Sequence, residues 1–169
     1  MTVTIRPERP EDYPSVFQVN VAAFGQEDEA RLVDALRADG YARVSLVAEV
    51  DGRIVGHILF STLTLRAGGQ YRDEVSLAPM AVVPEWQRQG IGTSLVHEGL
   101  SACEEAGHKV VVVVGHPDFY PRFGFSADQA DRSIRSPYAG PACMALELVP
   151  GTLGDALWDV EYPPPFGPL

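Results

Sequence analysis

The segment between residues 77 and 114 constrains the fold of this chain more than any other part. Its apolar run LAPMAVV ends in a polar turn, PEWQRQGIG, and a helical pattern then continues to Ala106. Lys109–Val114 follows with five consecutive valines, which is typical of a strand buried on both faces. The order strand, helix, strand predicts a βαβ unit in which strands Glu74–Val83 and Lys109–Val114 are parallel neighbours with a right-handed crossover.

The remaining sequence predicts helices and a hairpin around this unit. Asp51-Gly52, between two β-rich runs, is a strong hairpin signal. The other predicted elements are a strand at Thr2–Arg6, helices from Tyr13 to Gly25, at Glu27–Ala38 and at Gly90–Ala106, a short helical turn from Pro117, and strands near Phe125 and at Ala142–Leu148. We therefore expect a mixed sheet flanked by helices, α/β or α+β in class, within one domain over residues 1–150. A proline-rich tail over residues 151–169 is expected to lie against that domain or to extend from it.

Composition and charge narrow the class of protein. The chain is 46% hydrophobic and 21% charged, as ordinary globular domains are. No apolar run approaches the ~20 residues of a membrane span, and the start MTVTIRPERPED lacks the features of a signal peptide, so we expect a cytoplasmic protein. A net charge of −10 argues against nucleic acid as a partner. The same charge could attract a cationic amine, although it more often only maintains solubility.

The cysteines and histidines carry no metal or disulfide pattern. Cys103 and Cys143 lie far apart without a C-x-x-C spacing, and both are expected to be buried thiols. The four histidines show no H-E-x-x-H or similar spacing. We expect no metal site.

The glycine turn at residues 87–92 has the features of a phosphate-binding turn. Gly90 and Gly92 remove side chains where the chain turns into a helix, so that the first-turn amides from Gly90 to Ser94 can face an anion at the positive end of the helix dipole. Arg88 adds a cation, and Thr93 and Ser94 add hydroxyls. The alternative is a tight turn that contains two glycines by chance and whose amides bind water.

Three phosphate-binding patterns compete at this turn. A Walker loop requires a Gly-Lys pair, which is absent. A dinucleotide fingerprint requires a third glycine, and Leu95 stands in its place. The pattern Q/R-x-x-G-x-G/A is satisfied by Gln87, Gly90 and Gly92.

The segment LAPMAVVPEWQRQGIGTSLVHEGL resembles the acetyl-CoA-binding core of the GNAT acetyltransferases. The resemblance implies a mostly antiparallel sheet that splays at the cofactor site, with turn amides on the pyrophosphate and strand backbone on the pantetheine. It implies acetyl-CoA as cosubstrate and leaves the assembly open, with a homodimer as one option. The cofactor-binding residues that it implies are Ala81, Val82, Val83, Arg88, Gln89, Gly90, Ile91, Gly92, Thr93 and Ser94.

A second motif, GHPDFYPRFGF, places Tyr120 four residues before Gly124. It is similar to the GNAT pattern in which this tyrosine is the general acid, and its wording resembles the YhbS-like branch of that superfamily. A phenol with a pKa near ~10 stays protonated at pH 7 and can donate to a leaving thiolate. The alternative is that Tyr120 is a core aromatic like its neighbours Phe119, Phe123 and Phe125. The GHPD turn also departs from the asparagine that many family members carry there.

The general base is less well specified. Some family members use a glutamate eleven residues before the position of Gln87, where this chain has Ser76, which could order a water. Glu74 lies on the same strand face and is the first candidate for the base or for orienting the substrate ammonium, with a solvated strand end as the alternative. The candidates ranked below it are Asp73, His57 and Glu29.

The two motifs together predict an N-acetyltransferase that transfers an acetyl group from acetyl-CoA to a primary amine on a small molecule or peptide. Direct attack through a tetrahedral intermediate is expected, because neither cysteine lies near a histidine partner in the motifs. Two alternatives remain: a CoA-sensing module without turnover, and an acyltransferase that uses another acyl-CoA.

Overall fold

The computed structural model describes residues 2–167, which form a mixed α/β fold with four α-helices and eight β-strands in that part of the chain. The helices are α1 (Tyr13–Phe24), α2 (Asp28–Ala38), α3 (Ile91–Glu105) and α4 (Ala127–Ser133). The strands are β1 (Val3–Pro7), β2 (Ala42–Val50), β3 (Arg53–Ala67), β4 (Gln70–Val82), β5 (Val110–Val114), β6 (Ile134–Arg135), β7 (Cys143–Glu147) and β8 (Trp158–Glu161).

The main sheet has the strand order β1-β2-β3-β4-β5-β7. Its neighbours are antiparallel except for β4 and β5, which are parallel and connected through α3. The predicted βαβ unit and the mostly antiparallel sheet are therefore confirmed. No helix within residues 2–167 is long and apolar enough to cross a bilayer.

Local signals account for the elements before β4. Gly25 adopts a left-handed conformation with φ 71° and ends α1, as predicted. Asp51 (φ 51°) and Gly52 (φ 78°) form the two-residue turn between β2 and β3, which requires positive φ at both positions. These backbone angles are the reason that the Asp-Gly pair could be read as a hairpin from sequence.

Helices cover both faces of the sheet. On β3, His57 contacts Asn20 of α1 through Nδ1 at 3.3 Å. The preceding residue, Gly56, faces α3, where a Cβ would lie 3.1 Å from Leu95 Cδ1. Adjacent strand residues point to opposite faces, so α1 and α3 pack on opposite sides of β3.

Several elements differ from the prediction. β4 begins at Gln70 rather than Glu74, because a second hairpin connects it to the end of β3. The strand expected near Phe125 is wrong: Ser126 forms a single bridge with Ala145 and then caps α4, its hydroxyl accepting from the Gln129 amide at 3.1 Å. Neither α4 nor β6 was predicted.

The segment after residue 150 contributes to the sheet. Within it, β8 pairs with β3 through Leu65 and Val160 and also pairs with β6. Leu153, Trp158 and Tyr162 are buried in a second hydrophobic cluster beside the main core. β8 was not predicted, and the division of the chain at residue 150 stays a prediction. Met1 and the last two residues of the predicted tail lie outside the described residues.

The sheet splays between β4 and β5. The two strands pair over three residues each, Val75–Leu77 with Val111–Val113. Immediately afterwards the β3–β4 register shifts, so that Ala78 and Pro79 face the single residue Leu59 in a bulge. Bulges bend the strand that carries them. Beyond Leu77 β4 therefore diverges from β5, and a gap opens between their carboxyl ends.

Candidate functional site

A cavity of about 1050 Å³ occupies the gap between β4 and β5. Four parts of the chain line it: β4 from Leu77 to Val82, the turn and first residues of α3, the end of β5 with the segment that follows it, and the end of α1 with the start of α2. Ligand sites in open sheets commonly lie outside the carboxyl ends of neighbouring strands. The cavity has this position, and it contains residues from both sequence motifs.

The β4 wall offers backbone groups to the cavity. The Val83 amide donates to Val55 O at 2.9 Å and so faces β3. Backbone groups alternate in direction along a strand, which leaves those of Val82 and Met80 on the cavity side. Val82 O already accepts from Gln87 Nε2 at 2.8 Å. Of the three residues predicted to offer backbone, the alternation places Ala81 and Val83 toward β3.

The first turn of α3 has unpaired amides. Gly90 precedes the helix in a left-handed conformation with φ 87°, and no side chain of a described residue caps the helix. The Ser94 amide donates to Gly90 O at 3.0 Å, and this hydrogen bond is the first one within the helix. The amides of Gly90 to Thr93 have no intrahelical acceptor, whereas the Ser94 amide, the last of those predicted to face an anion, is already paired.

Gly92 is the point at which the helix approaches the other walls. A Cβ on it would lie 3.3 Å from Met80 Cε and 3.9 Å from Phe119 Cζ. Glycine at this position keeps the space between α3 and β4 open. The sequence signal for this role was the second glycine of the turn.

The cationic and hydroxyl groups of the turn divide between cavity and surface. Arg88 lines the cavity and forms no ion pair with any residue in the described range. Thr93 also lines it, whereas Ser94 is exposed outside it. Gln89 donates to Glu85 O at 3.3 Å, and Ile91 is buried in the core. The structure thus brings Arg88 and Thr93 to the cavity and leaves the side chains of Gln89, Ile91 and Ser94 elsewhere.

Tyr120 lies across the cavity from α3, at the start of a 3-10 turn after β5. Its ring packs against Phe119 and Phe125 with centroids 5.0 and 5.7 Å apart, and only 7% of the residue is exposed. Burial raises the pKa of Tyr120 to about 12. The phenol is therefore a hydrogen-bond donor at neutral pH, in the same cavity as the α3 amides.

Glu74 lies at the opposite end of the β4–β5 ladder. Its Oε1 accepts from the amides of Lys109 at 2.8 Å and Val110 at 3.2 Å, and its Oε2 accepts from Arg72 Nε at 3.0 Å. Oε1 therefore binds the beginning of β5, Oε2 pairs with an arginine of β4, and the residue does not line the cavity. The role of Glu74 as base stays a prediction that this geometry does not support.

The other predicted polar candidates are also distributed away from the cavity, with one exception. Ser76 is buried within the sheet opposite Ser61, and Asp73 is exposed on the β3–β4 hairpin. His57 is fully buried beneath α1, with Ser45 Oγ 3.0 Å from its Nε2. Glu29, a lower-ranked candidate, does line the cavity.

Two polar lining residues were not identified from sequence. His116 lies two residues after the end of β5, and Arg122 lies two residues after Tyr120. The Arg122 guanidinium stacks over Phe119 at 4.8 Å and its Nε donates to Phe119 O at 3.0 Å. The position of His116 at the end of the strand was the available signal, since cavity residues in such sheets follow strand ends.

The donor set of the cavity suits an elongated ligand that carries phosphate and amide groups. Unpaired amides at a helix start, an adjacent arginine and exposed strand backbone suit phosphate and amide groups of one ligand. Within residues 2–167, no group of three or more His, Cys, Asp or Glu side chains is arranged to hold a metal ion.

Comparison with known proteins agrees with this geometry. A family model described as an acetyltransferase (GNAT) domain matches residues 4–127. The chain is 36% identical over 160 residues to the uncharacterized N-acetyltransferase YhbS of Escherichia coli K12, which covers 94% of this chain and 95% of that protein. It is 38% identical over 132 residues to the uncharacterized N-acetyltransferase YjhQ of the same strain, which covers 77% and 73%.

Two solved structures share the whole fold. The crystal structure of Escherichia coli YhbS in complex with CoA has a TM-score of 0.88 at 34% identity, covering 97% of this chain and 91% of that chain. A GNAT family acetyltransferase from Brucella melitensis in complex with acetyl-CoA has a TM-score of 0.81 at 35% identity, covering 98% and 99%. Both relatives bind the CoA group.

Proposed function

Because the chain belongs to the GNAT acetyltransferase family, we propose that it transfers an acetyl group from acetyl-CoA to a primary amine. The observation that carries the proposal is the convergence of three donor sets on one cavity. These are the backbone of β4 near Val82, the unpaired amides from Gly90 to Thr93, and the Tyr120 hydroxyl. The relatives that hold CoA or acetyl-CoA support the choice of cosubstrate.

The α3 end of the cavity suits the phosphates. The amides of Gly90 to Thr93 lie at the positive end of a 15-residue helix, where an anion is stabilised. Arg88 adds a full positive charge that no described carboxylate neutralises. An anion here would act as the cap that the helix otherwise lacks.

The β4 wall suits the pantetheine arm and the reacting carbonyl. The backbone groups of Met80 and Val82 that face the gap can pair with the amides of an extended ligand, as an added strand would. An amide in this position can also stabilise negative charge that develops on a carbonyl oxygen. Acetyl-CoA supplies the thioester, and β4 fixes its position relative to the acceptor.

Tyr120 acts on the leaving sulfur as a hydrogen-bond donor. Its pKa of about 12 lies above the ~8.5 of an ordinary thiol, so complete transfer of its proton to a thiolate is unfavourable by ~5 kcal/mol. A strong hydrogen bond without complete transfer lowers the charge on the sulfur and avoids that cost. In the proposed reaction Tyr120 therefore stabilises the departing thiolate by this hydrogen bond as the C–N bond forms and the C–S bond breaks. The amine nitrogen releases its proton to solvent, and the thiolate takes one up from solvent.

Calorimetry with acetyl-CoA and a thiol-release assay with a panel of amines test the proposal. We expect saturable binding of acetyl-CoA and release of free CoA that depends on the added amine. Binding without turnover for any acceptor would favour the CoA-sensing alternative. Faster release from a longer acyl-CoA would favour another acyltransferase, and absence of any binding would contradict the proposal.

A further inference from the structure

We infer that the acceptor is a cationic amine with an apolar body, and that its positive charge pairs with Glu29. The inference rests on the proposed acetyl transfer, because it concerns the acceptor side of the same cavity. It is carried by the position of Glu29, by the distribution of charge around the cavity, and by the apolar residues beside it.

Glu29 is a carboxylate without a cationic partner. It lies in the first turn of α2, is half-buried, and lines the cavity. Its two oxygens accept from a single neutral donor, Gln26 Nε2, at 3.1 and 3.3 Å, and it forms no ion pair with a residue in the described range. By contrast Glu27, two residues earlier, pairs with Arg31 at 2.6 Å. The Glu29 carboxylate can therefore accept further hydrogen bonds, and because the residue lines the cavity, a ligand there can donate them.

The charged side chains of the cavity belong to different walls. Its arginines, Arg88 and Arg122, belong to the turn before α3 and to the turn after β5. Glu29 belongs to the α1–α2 wall and is the one carboxylate among the described residues that line the cavity. The phosphates of the cosubstrate suit Arg88 and the α3 amides, and the thioester lies near Tyr120 in the proposed reaction, which leaves the α1–α2 wall with Glu29 for the acceptor. A carboxylate-bearing acceptor would meet Glu29 there without a compensating cation.

The surroundings of Glu29 are apolar. Phe24 and Leu32 line the α1–α2 wall, and Leu77 and Pro79 line the facing part of β4. Phe24 is 39% exposed, which places a large apolar ring at the edge of the cavity. Burial of an alkyl or aryl group against these side chains is favourable by about 25 cal/mol per Å². The acceptor that fits both features carries one positive charge next to an apolar body.

A matched set of acceptors tests the chemical class. Phenethylamine and hexylamine carry one ammonium, 1,6-diaminohexane carries two, phenylalanine adds a carboxylate, and 2-phenylethanol lacks the charge. We expect a kcat/KM for phenethylamine that exceeds the value for phenylalanine by about tenfold or more, since an unpaired carboxylate opposes binding. No acetylation of the alcohol is expected.

Substitution of Glu29 tests the residue. Glu29→Gln keeps the shape but removes the charge, and we expect it to raise KM for phenethylamine about tenfold while the dissociation constant of acetyl-CoA stays unchanged. Glu29→Asp retains the charge and is expected to restore part of the loss. Glu27→Gln, on the same helical turn but outside the cavity, is the matched control and is expected to leave KM unchanged. Melting temperatures verify that each variant is folded.

The outcomes separate this inference from the proposed function. Failure of the unaltered protein to bind acetyl-CoA would overturn the proposed function itself. Turnover of amines together with an unchanged KM for phenethylamine in Glu29→Gln, or with a preference for phenylalanine, would overturn the role of Glu29 alone. Binding of acetyl-CoA without turnover of any amine would count against the proposed acetyl transfer, on which this inference rests. If the Glu29→Gln effect is seen with the monoamines, the ammonium that pairs with Glu29 is the group that is acetylated, after it has released a proton to solvent.

Discussion

At the scale of single residues, burial keeps two titratable groups neutral. Burial raises the pKa of Tyr120 to about 12, and burial followed by the charge of Arg37 lowers the pKa of His57 to about 3. Removal from water disfavours the charged form in both cases, so the pKa of an acid rises and the pKa of a base falls. The consequences differ, because Tyr120 lines the cavity and His57 does not.

Tyr120→Phe should separate turnover from cofactor binding. The phenylalanine keeps the ring contacts with Phe119 and Phe125 but removes the hydroxyl. We expect kcat to fall roughly 100-fold, which is typical for loss of a positioned proton donor, with little change in the dissociation constant of acetyl-CoA. Steady-state kinetics and calorimetry on the same samples measure the two quantities.

The control for this substitution is Tyr138→Phe, which removes a hydroxyl from a half-exposed residue that does not line the cavity. An equal loss of turnover and acetyl-CoA affinity in Tyr120→Phe would identify Tyr120 as a packing residue. Because the Tyr120 pKa is about 12, no loss of rate between pH 7 and roughly 10 is expected from its ionisation.

His57 should make the fold sensitive to acid. Its pKa falls from 6.5 to about 3 in the folded chain, so between these values the unfolded chain binds a proton that the folded chain does not. Stability contributed by neutral His57 is therefore present above pH 6.5 and is lost as the pH falls toward 3. Between pH 6.5 and 5 the loss amounts to ~2 kcal/mol.

His57→Gln removes this titration, and its free energy of unfolding is expected to fall less steeply over that pH range than that of the unaltered chain. Urea unfolding at a series of pH values measures both slopes. His97→Gln, at an exposed position, serves as the control and should keep the original slope. Parallel slopes for His57→Gln and the unaltered chain would contradict the assignment.

At the scale of elements, the proposed binding of acetyl-CoA depends most on the start of α3. Gly92→Val places a branched side chain against Met80 and Phe119, beside the unpaired amides. We expect it to weaken acetyl-CoA binding by at least about tenfold, because the new side chain occupies space that a ligand on those amides requires. Calorimetry measures the affinity.

Ser101→Val is the matched control, since it introduces the same residue on the exposed face of α3. Valine in a helix interior costs only several tenths of a kcal/mol, so both variants should stay folded. Equal affinities of Gly92→Val and Ser101→Val for acetyl-CoA would exclude the first turn of α3 from the site.

The elements that could be predicted from sequence are those whose signal is local. The Asp51-Gly52 hairpin, the end of α1 at Gly25 and the turn into α3 each depend on backbone angles that few residue types adopt. β6 and β8 could not be predicted, because a strand of two or four residues is defined by distant partners, here Leu65 for Val160. Short strands carry too little periodicity to be recognised.

The residues of the candidate site also divide into those with a local sequence signal and those placed by distant contacts. The glycine turn and Tyr120 lie in recognisable motifs, and the structure brings both to one cavity. Glu74 was a reasonable base candidate by strand periodicity, but the sequence does not show that the Lys109 and Val110 amides bind it. Glu29 reaches the cavity only through the packing of α2 beside the sheet, which no local pattern specifies.

At the scale of the whole molecule, the C-terminal segment holds the second hydrophobic cluster together. Trp158 is 4% exposed and its Nε1 donates to Leu153 O at 2.9 Å. Trp158→Ala is expected to lower the free energy of unfolding by about 3–5 kcal/mol, as for other buried large-to-small changes. Chemical denaturation measures the change.

Leu157→Ala is the neighbouring control, because Leu157 is 42% exposed and its truncation should cost little. Similar losses for the two variants would indicate that β8 contributes no more to the fold than an exposed segment does. A loss confined to Trp158→Ala would show that the chain after residue 150 stabilises the sheet.

The short β4–β5 ladder has a consequence for how affinity can be tuned. Within the described residues it is the one ladder that joins the antiparallel strands β1–β4 to the antiparallel pair β5 and β7. The backbone ladder between these two parts of the sheet comprises three residue pairs, and a rotation between the two units would change the width of the cavity. A ligand that contacts both units restricts this rotation, so its affinity includes the free energy of holding them at one angle. Val111 and Val112 do not line the cavity, yet substitutions there can change ligand affinity through the resting angle of the two units.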